Sequence, residues 1–220
     1  MREKALRVQW KTLSFERWQL MGRVALGFRV HTGWAALLAA ELPVRLPALT
    51  VVDRRRVEMI EGHDPDAPPF VYHAASKLPF EAAKQLIQES TAMAQRRAQE
   101  SLSKILRELR ERGHDVVATA LIGANRALTS PLEKILAAHA LIHAAEGELF
   151  RGAILRASEA LGVPASMVPA GELYARAAKA QGSPEATLRR HLQQAGRSAG
   201  RPWAQDQKEA LLALVSVASA

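Results

Sequence analysis

The chain of 220 residues is 48% hydrophobic and 24% charged, with enough apolar side chains to enclose a sizeable core and offset the entropy of ordering the backbone. It has no cysteine, which excludes disulfides, thiolate zinc sites, iron–sulfur clusters and a cysteine nucleophile. Lys and Arg total 30 against 22 Asp and Glu, a net charge of +8 that favours polyanionic partners without defining a site.

Residues 1–22 are basic, carry Trp10 and Trp18, and lack an apolar stretch followed by a small-residue cleavage site. They read as a basic N-terminal extension, ahead of a single domain over 23–220. Apolar runs such as Gly33–Ala40 are far shorter than the roughly 18 residues a membrane span needs, so no membrane contact and a cytoplasmic location are expected.

Arg23–Val30 and Gly33–Glu41 flank His31-Thr32, the expected turn of a β-hairpin, and Ala48–Ile60 reads as a third strand closing an antiparallel meander. Glu61–Pro69 holds three prolines and is a loop. Phe80–Arg112 places Ala83, Leu86, Ile87, Ala94, Ala98, Leu102, Ile105, Leu106 and Leu109 at helical spacing, with Gly113 as the stop. Asp115–Ile122 is a fourth strand. Ser130-Pro131-Leu132-Glu133 predicts an N-cap, a first-turn proline and a capping box for a helix running to Leu161. Ser166–Pro169 is a short strand and Gly171–Ala180 a short helix. Ser183-Pro184-Glu185 starts a helix to about Gln194, and a Gly/Arg loop over Gly196–Pro202 leads to a last helix, Trp203–Ala218.

Three antiparallel strands, a helix, a parallel strand, a long helix and a fifth strand resemble the ribonuclease-H-like fold: an α/β domain with a five-stranded mixed sheet, an antiparallel meander plus parallel strands, flanked by helices. Within it, Gly147–Val163, SMVPAGELY, SPEATLRRHLQQA and DQKEALLALVSVA resemble the closing half of RuvC-type Holliday-junction resolvases. The strings HTGWA, DRRR, FVYHAA and HALIHAAEGELFR also resemble an uncharacterised bacterial family within that fold. The resolvase resemblance implies carboxylates on the first strand, the fourth strand and the last helix holding two Mg²⁺ ions. Here Arg29 stands where the first-strand aspartate is expected, and TALIGANRAL, the fourth strand and its exit, has no carboxylate. Only Asp206 and Glu209 remain as candidate metal ligands, three residues apart on one helical face. The resemblance therefore implies the fold without the usual two-metal nuclease.

Other residues bear chemistry. His139, His143 and Glu146, at spacings of four and three, share one helical face and suit a single divalent metal ion, or a histidine general base oriented by Glu146. The plainer alternative is hydrogen-bonded histidines in a helix–sheet interface, with Glu146 paired to Arg151 or a strand group. His31 in the hairpin turn and His73 after the proline-rich loop are candidates to join them in one catalytic pocket. Arg54 and Arg56 share one side of a strand, and Arg189, Arg190, Arg197 and Arg201 surround a Gly-rich segment with little acidic company; these six are candidate nucleic-acid contacts. Gly123-Ala124-Asn125-Arg126 lacks the spacing of a phosphate loop, and no G-x-S-x-G elbow is present. Three readings follow: a nucleic-acid-associated protein binding through its basic clusters without the acidic two-metal site; a His/Glu-based phosphoester hydrolase, nuclease or other acid–base enzyme, with or without one metal ion; and a non-catalytic homodimeric interaction module.

Overall fold

The structure, a computed structural model, describes residues 21–60, 68 and 70–217. The extension at 1–20 with its two tryptophans, most of the proline-rich linker and Ala218 lie outside the described residues. Five strands form one sheet: β1 (Gly22–Val30), β2 (Trp34–Glu41), β3 (Val51–Glu58), β4 (His114–Gly123) and β5 (Ala165–Pro169), in the order β3-β2-β1-β4-β5. β2 runs antiparallel to both β1 and β3, whereas β4 lies parallel to β1 and β5 parallel to β4. The hairpin turns over His31–Gly33, where Gly33 supplies the positive φ of +80° and the His31 N–H donates to the Trp34 carbonyl at 2.8 Å.

Side-chain alternation divides the sheet between two helical layers. Val24, Leu26, Phe28 and Val30 of β1 face α1 (Val71–Ala75), the long α2 (Phe80–Glu111) and α4 (His139–Ala160). α2 contributes Ala83, Ile87, Ala94, Ala98, Leu102, Ile105 and Leu109, the predicted stripe, and ends before Gly113. The odd-numbered face of β1 is covered by α5 (Leu173–Ala180), α6 (Glu185–Ala199) and α7 (Gln205–Val217), whose Ala210–Val215 is wholly buried. Gly27 permits that contact: a Cβ there would lie 2.2 Å from the Ala210 carbonyl oxygen. α7 thus rests directly on the β1 backbone, with its first turn above the end of the strand.

Several boundaries depart from the sequence reading. The helix expected from Pro131 to Leu161 is two, α3 (Leu132–Ala137) and α4, separated at Ala138 in extended geometry (φ −129°, ψ 113°). Ser130 is not the N-cap; Pro131 is, extended at ψ 155°, and its carbonyl accepts the Ile135 N–H at 3.1 Å. The same one-residue shift occurs at Ser183-Pro184, where Pro184 is the N-cap at ψ 150°. α6 continues past Gln194 to Ala199 because the Trp203 ring seats on Gly196, where a Cβ would meet Trp203 Cδ1 at 2.4 Å; the helix stops at Gly200 (φ +77°). The segment after the proline-rich linker forms α1, which buries Val71 and Ala75 in the α2/α4 layer and carries His73. A 3₁₀ turn, Ala170–Glu172, precedes α5, and the last helix begins at Gln205.

Candidate functional site

The end of β1 is where the resolvase resemblance sets a metal site. Arg29 and His31 project on the face that carries Gly27, toward the first turn of α7. There Arg29 Nε lies 2.8 Å from a Glu209 carboxylate oxygen, and His31 Nε2 lies 3.0 Å from Asp206 Oδ1. The His31 ring stacks on Trp34, with centroids 4.2 Å apart and planes 12° from parallel, and the Arg56 guanidinium lies 3.9 Å over the Trp34 ring from the other strand. Gln205 Nε2 donates to the second Glu209 oxygen at 2.7 Å. Both candidate acidic ligands are thus engaged by side chains of β1, the hairpin turn and α7 itself. The adjoining end of β4 offers Ala120, Leu121 and Ile122, all buried and apolar. A two-Mg²⁺ centre needs several carboxylate oxygens converging on the ions; these residues, with a guanidinium at the centre, do not fit it.

A second cluster lies on the other layer. His139 and His143 open α4, and α1 brings His73 against them: ring centroids are 5.4 Å (His73–His139), 4.7 Å (His73–His143) and 4.4 Å (His139–His143), with planes 67–84° apart. One ring nitrogen from each imidazole falls within 4.8 Å of the other two. Glu146, one turn further along α4, is 2% exposed. Its Oε1 accepts the backbone N–H groups of Tyr72 (2.8 Å) and His73 (3.2 Å) and lies 3.3 Å from His73 Nδ1, while Oε2 has no hydrogen-bond partner. The carboxylate fixes α1 on α4 and sets the His73 ring; burial, then the Glu146 charge, push the Tyr72 phenol above its ordinary pKa. Phe70, His73, Ala74, Lys77 and His143 line a cavity of about 480 Å³ beside the rings.

Of the five residues expected in one pocket, the structure brings together His73, His139, His143 and Glu146. It places His31 on the α7 layer with Asp206. Glu146 was expected as a third ligand beside His139 and His143; the third imidazole is His73 instead, with Glu146 behind it. His73 was among the residues expected to converge here, but its exchange of place with Glu146 depends on α1 folding back onto α4.

The arginines divide similarly. Arg54 Nη1 donates to the Gly200 carbonyl at 2.8 Å and lies 3.4 Å from that of Pro202, tying β3 to the α6–α7 loop. Arg56 pairs with Glu58 as well as covering Trp34. Arg189 lies 3.8 Å over the Tyr174 ring and 3.7 Å from Glu185, and Arg190 donates to Thr187 Oγ1 at 3.1 Å. Arg197 and Arg201 are exposed, without an ion-pair partner among the described residues, and border a cleft of about 680 Å³ with Gln193, Gly196 and Trp203. The indole Nε1 donates to the Leu192 carbonyl at 3.0 Å, which fixes that ring at the cleft. Sequence reasoning found the arginines but not Trp203 or Trp34, whose roles depend on distant partners.

The strand order 3-2-1-4-5, with β2 alone reversed and helices on both faces, defines a ribonuclease-H-like fold. Two solved Thermus thermophilus structures are similar to the chain. RuvC in complex with Holliday junction substrate is 16% identical, with a TM-score of 0.49 over 90% of this chain and 93% of that one; a structure of RuvC is 15% identical, with a TM-score of 0.47 over 89% and 93%. No protein-family model and no curated protein matches. Among the described residues, no helix is long and apolar enough to cross a membrane.

Proposed function

We propose that the protein binds nucleic acid through its basic surface and does not cleave it by the acidic two-metal route. The observation that carries this reading is the cleft between α6 and α7, where the unpaired Arg197 and Arg201 flank Trp203. Guanidinium groups suit phosphate oxygens in bidentate geometry, and an immobilised indole offers a face on which a base can stack. Arg190 extends the positive surface along α6, while Arg54 supports the reading indirectly by holding the loop that carries Arg201. The engaged Arg29–Glu209 and His31–Asp206 pairs argue against Mg²⁺-dependent cleavage at the end of β1.

Fluorescence anisotropy with a labelled oligonucleotide, duplex and single-stranded, over a series of salt concentrations tests this. Affinity is expected to fall steeply with salt, and the Arg197→Ala/Arg201→Ala double variant to reduce the slope of log K against log[salt] by about 1–2. Added Mg²⁺ is expected to leave the oligonucleotide intact. No binding at low salt, or a double variant indistinguishable from the parent, would sink the reading.

A further inference from the structure

His73, His139 and His143 meet in a way that simple packing does not explain. Their rings approach one another at steep angles and present ring nitrogens to a common space. Among the described residues, neither His139 nor His143 makes a hydrogen bond or an ion pair with any other group; each meets the other two rings. The third ring is held by a buried carboxylate. An acceptor at His73 Nδ1 places the proton there and leaves the Nε2 lone pair free, the arrangement by which a carboxylate orients a metal-binding histidine. Glu146 does this at almost no exposure, while also receiving two backbone N–H groups of α1.

From this geometry we infer that His73, His139 and His143 bind one divalent transition-metal ion of the zinc class, with Glu146 as a positioning residue. Three neutral imidazoles without a direct carboxylate suit zinc, nickel or copper, whereas magnesium and calcium require oxygen donors. A tetrahedral zinc ion at about 2.1 Å from each nitrogen separates the ligand atoms by about 3.4 Å. The present spacing, within 4.8 Å, closes to that by side-chain rotation, because His139 and His143 are exposed and His73 is half-buried. Three protein ligands leave a fourth position open. That position borders the cavity of Phe70 and Lys77, and the Lys77 ammonium favours an anionic oxygen as its occupant.

The test uses the full chain, stripped with a chelator and titrated with Co²⁺ and Zn²⁺. The expected result is one Co²⁺ per chain, with the intense visible bands of a four-coordinate site, displaced by Zn²⁺. His139→Ala and His143→Ala are expected to abolish the spectrum, and His191→Ala, on α6, to leave it unchanged. Both cluster histidines are exposed, so circular dichroism should show these variants folded. Glu146→Gln is expected to keep the stoichiometry and weaken affinity about 10–100-fold. Substoichiometric metal in the parent, a weak octahedral spectrum, or undiminished binding by the His139→Ala/His143→Ala double variant overturns the site; unchanged affinity in Glu146→Gln overturns the positioning role. The inference is independent of nucleic-acid binding, which involves none of these residues.

Discussion

Arg55 illustrates how much a single side chain on β3 can organise. It points away from Arg54 and Arg56, reaching Asp53 on its own strand and Glu108 on α2, with Arg55 Nη1 2.6 Å from Glu108 Oε2. Burial works against the Arg55 charge, but the hydrogen bonds it donates to Asp53 and Glu108 outweigh it, and the guanidinium pKa rises. The hydrogen bond from Arg55 holds the Glu108 carboxyl below its ordinary value, with Coulomb attraction from Arg55, Lys104 and Arg112 adding to it. A depressed folded-state pKa contributes stability above the unfolded carboxylate pKa, and that contribution is lost as pH falls through the folded value. Glu108→Gln is therefore expected to lower Tm near neutral pH, with the gap to the parent closing below about pH 4; thermal melts over a pH series would show it. A gap independent of pH would mean the ion pair is inert. At this scale the sequence revealed which residue types stood where, including Arg29 in place of a carboxylate, but not their partners. Arg29 meets Glu209 only because the last helix, far along the chain, packs across β1.

Elements were more legible than contacts. The hairpin and β4 followed from short apolar, β-branched runs and α2 from its helical period, because both patterns record burial directly. Helix starts were misplaced by one residue where Ser-Pro stood, and the reason is physical. An extended proline takes the N-cap position and gives its carbonyl to the first turn, which leaves the serine one residue outside the helix, where no side-chain cap is made. Pro79 does the same for α2, accepting the Ala83 N–H at 2.9 Å. Ser130→Ala is expected to change stability by less than about 0.5 kcal/mol in urea denaturation, where removal of a true serine cap costs about 1 kcal/mol. The contact of α7 with β1 carries the opposite expectation. Gly27→Ala sets a methyl against the Ala210 backbone carbonyl, which cannot rotate aside, and is expected to cost about 2–3 kcal/mol. A neutral Gly27→Ala would show that α7 does not rest on the strand. The break at Ala138 was invisible: nothing between Ile135 and Leu141 is a proline or glycine. Yet it makes His139 the first residue of α4.

In the whole molecule the two candidate sites belong to different layers, the histidine cluster with α1 and α4 and the arginine cleft with α6 and α7. The sheet lies between them, and among the described residues no hydrogen bond or ion pair joins the residues of one site to those of the other. The Arg197→Ala/Arg201→Ala variant is thus expected to bind Co²⁺ with the parent's affinity in the same titration, and a change greater than about threefold would reveal coupling through the sheet, of the order of 0.7 kcal/mol. Net charge was legible from composition, but which arginines stay free was not, since Arg54, Arg56 and Arg189 each find an internal partner. β1 separates two demands in one strand. Its even positions hold Val24, Leu26, Phe28 and Val30 in the core, while Gly27 and Arg29 on the odd face, with His31 just past the strand's end, meet α7. Substitutions at Arg29 and His31 can therefore change the chemistry offered at the strand's end while the even-numbered residues keep specifying the same sheet, so an architecture can persist through a complete change of the groups it presents.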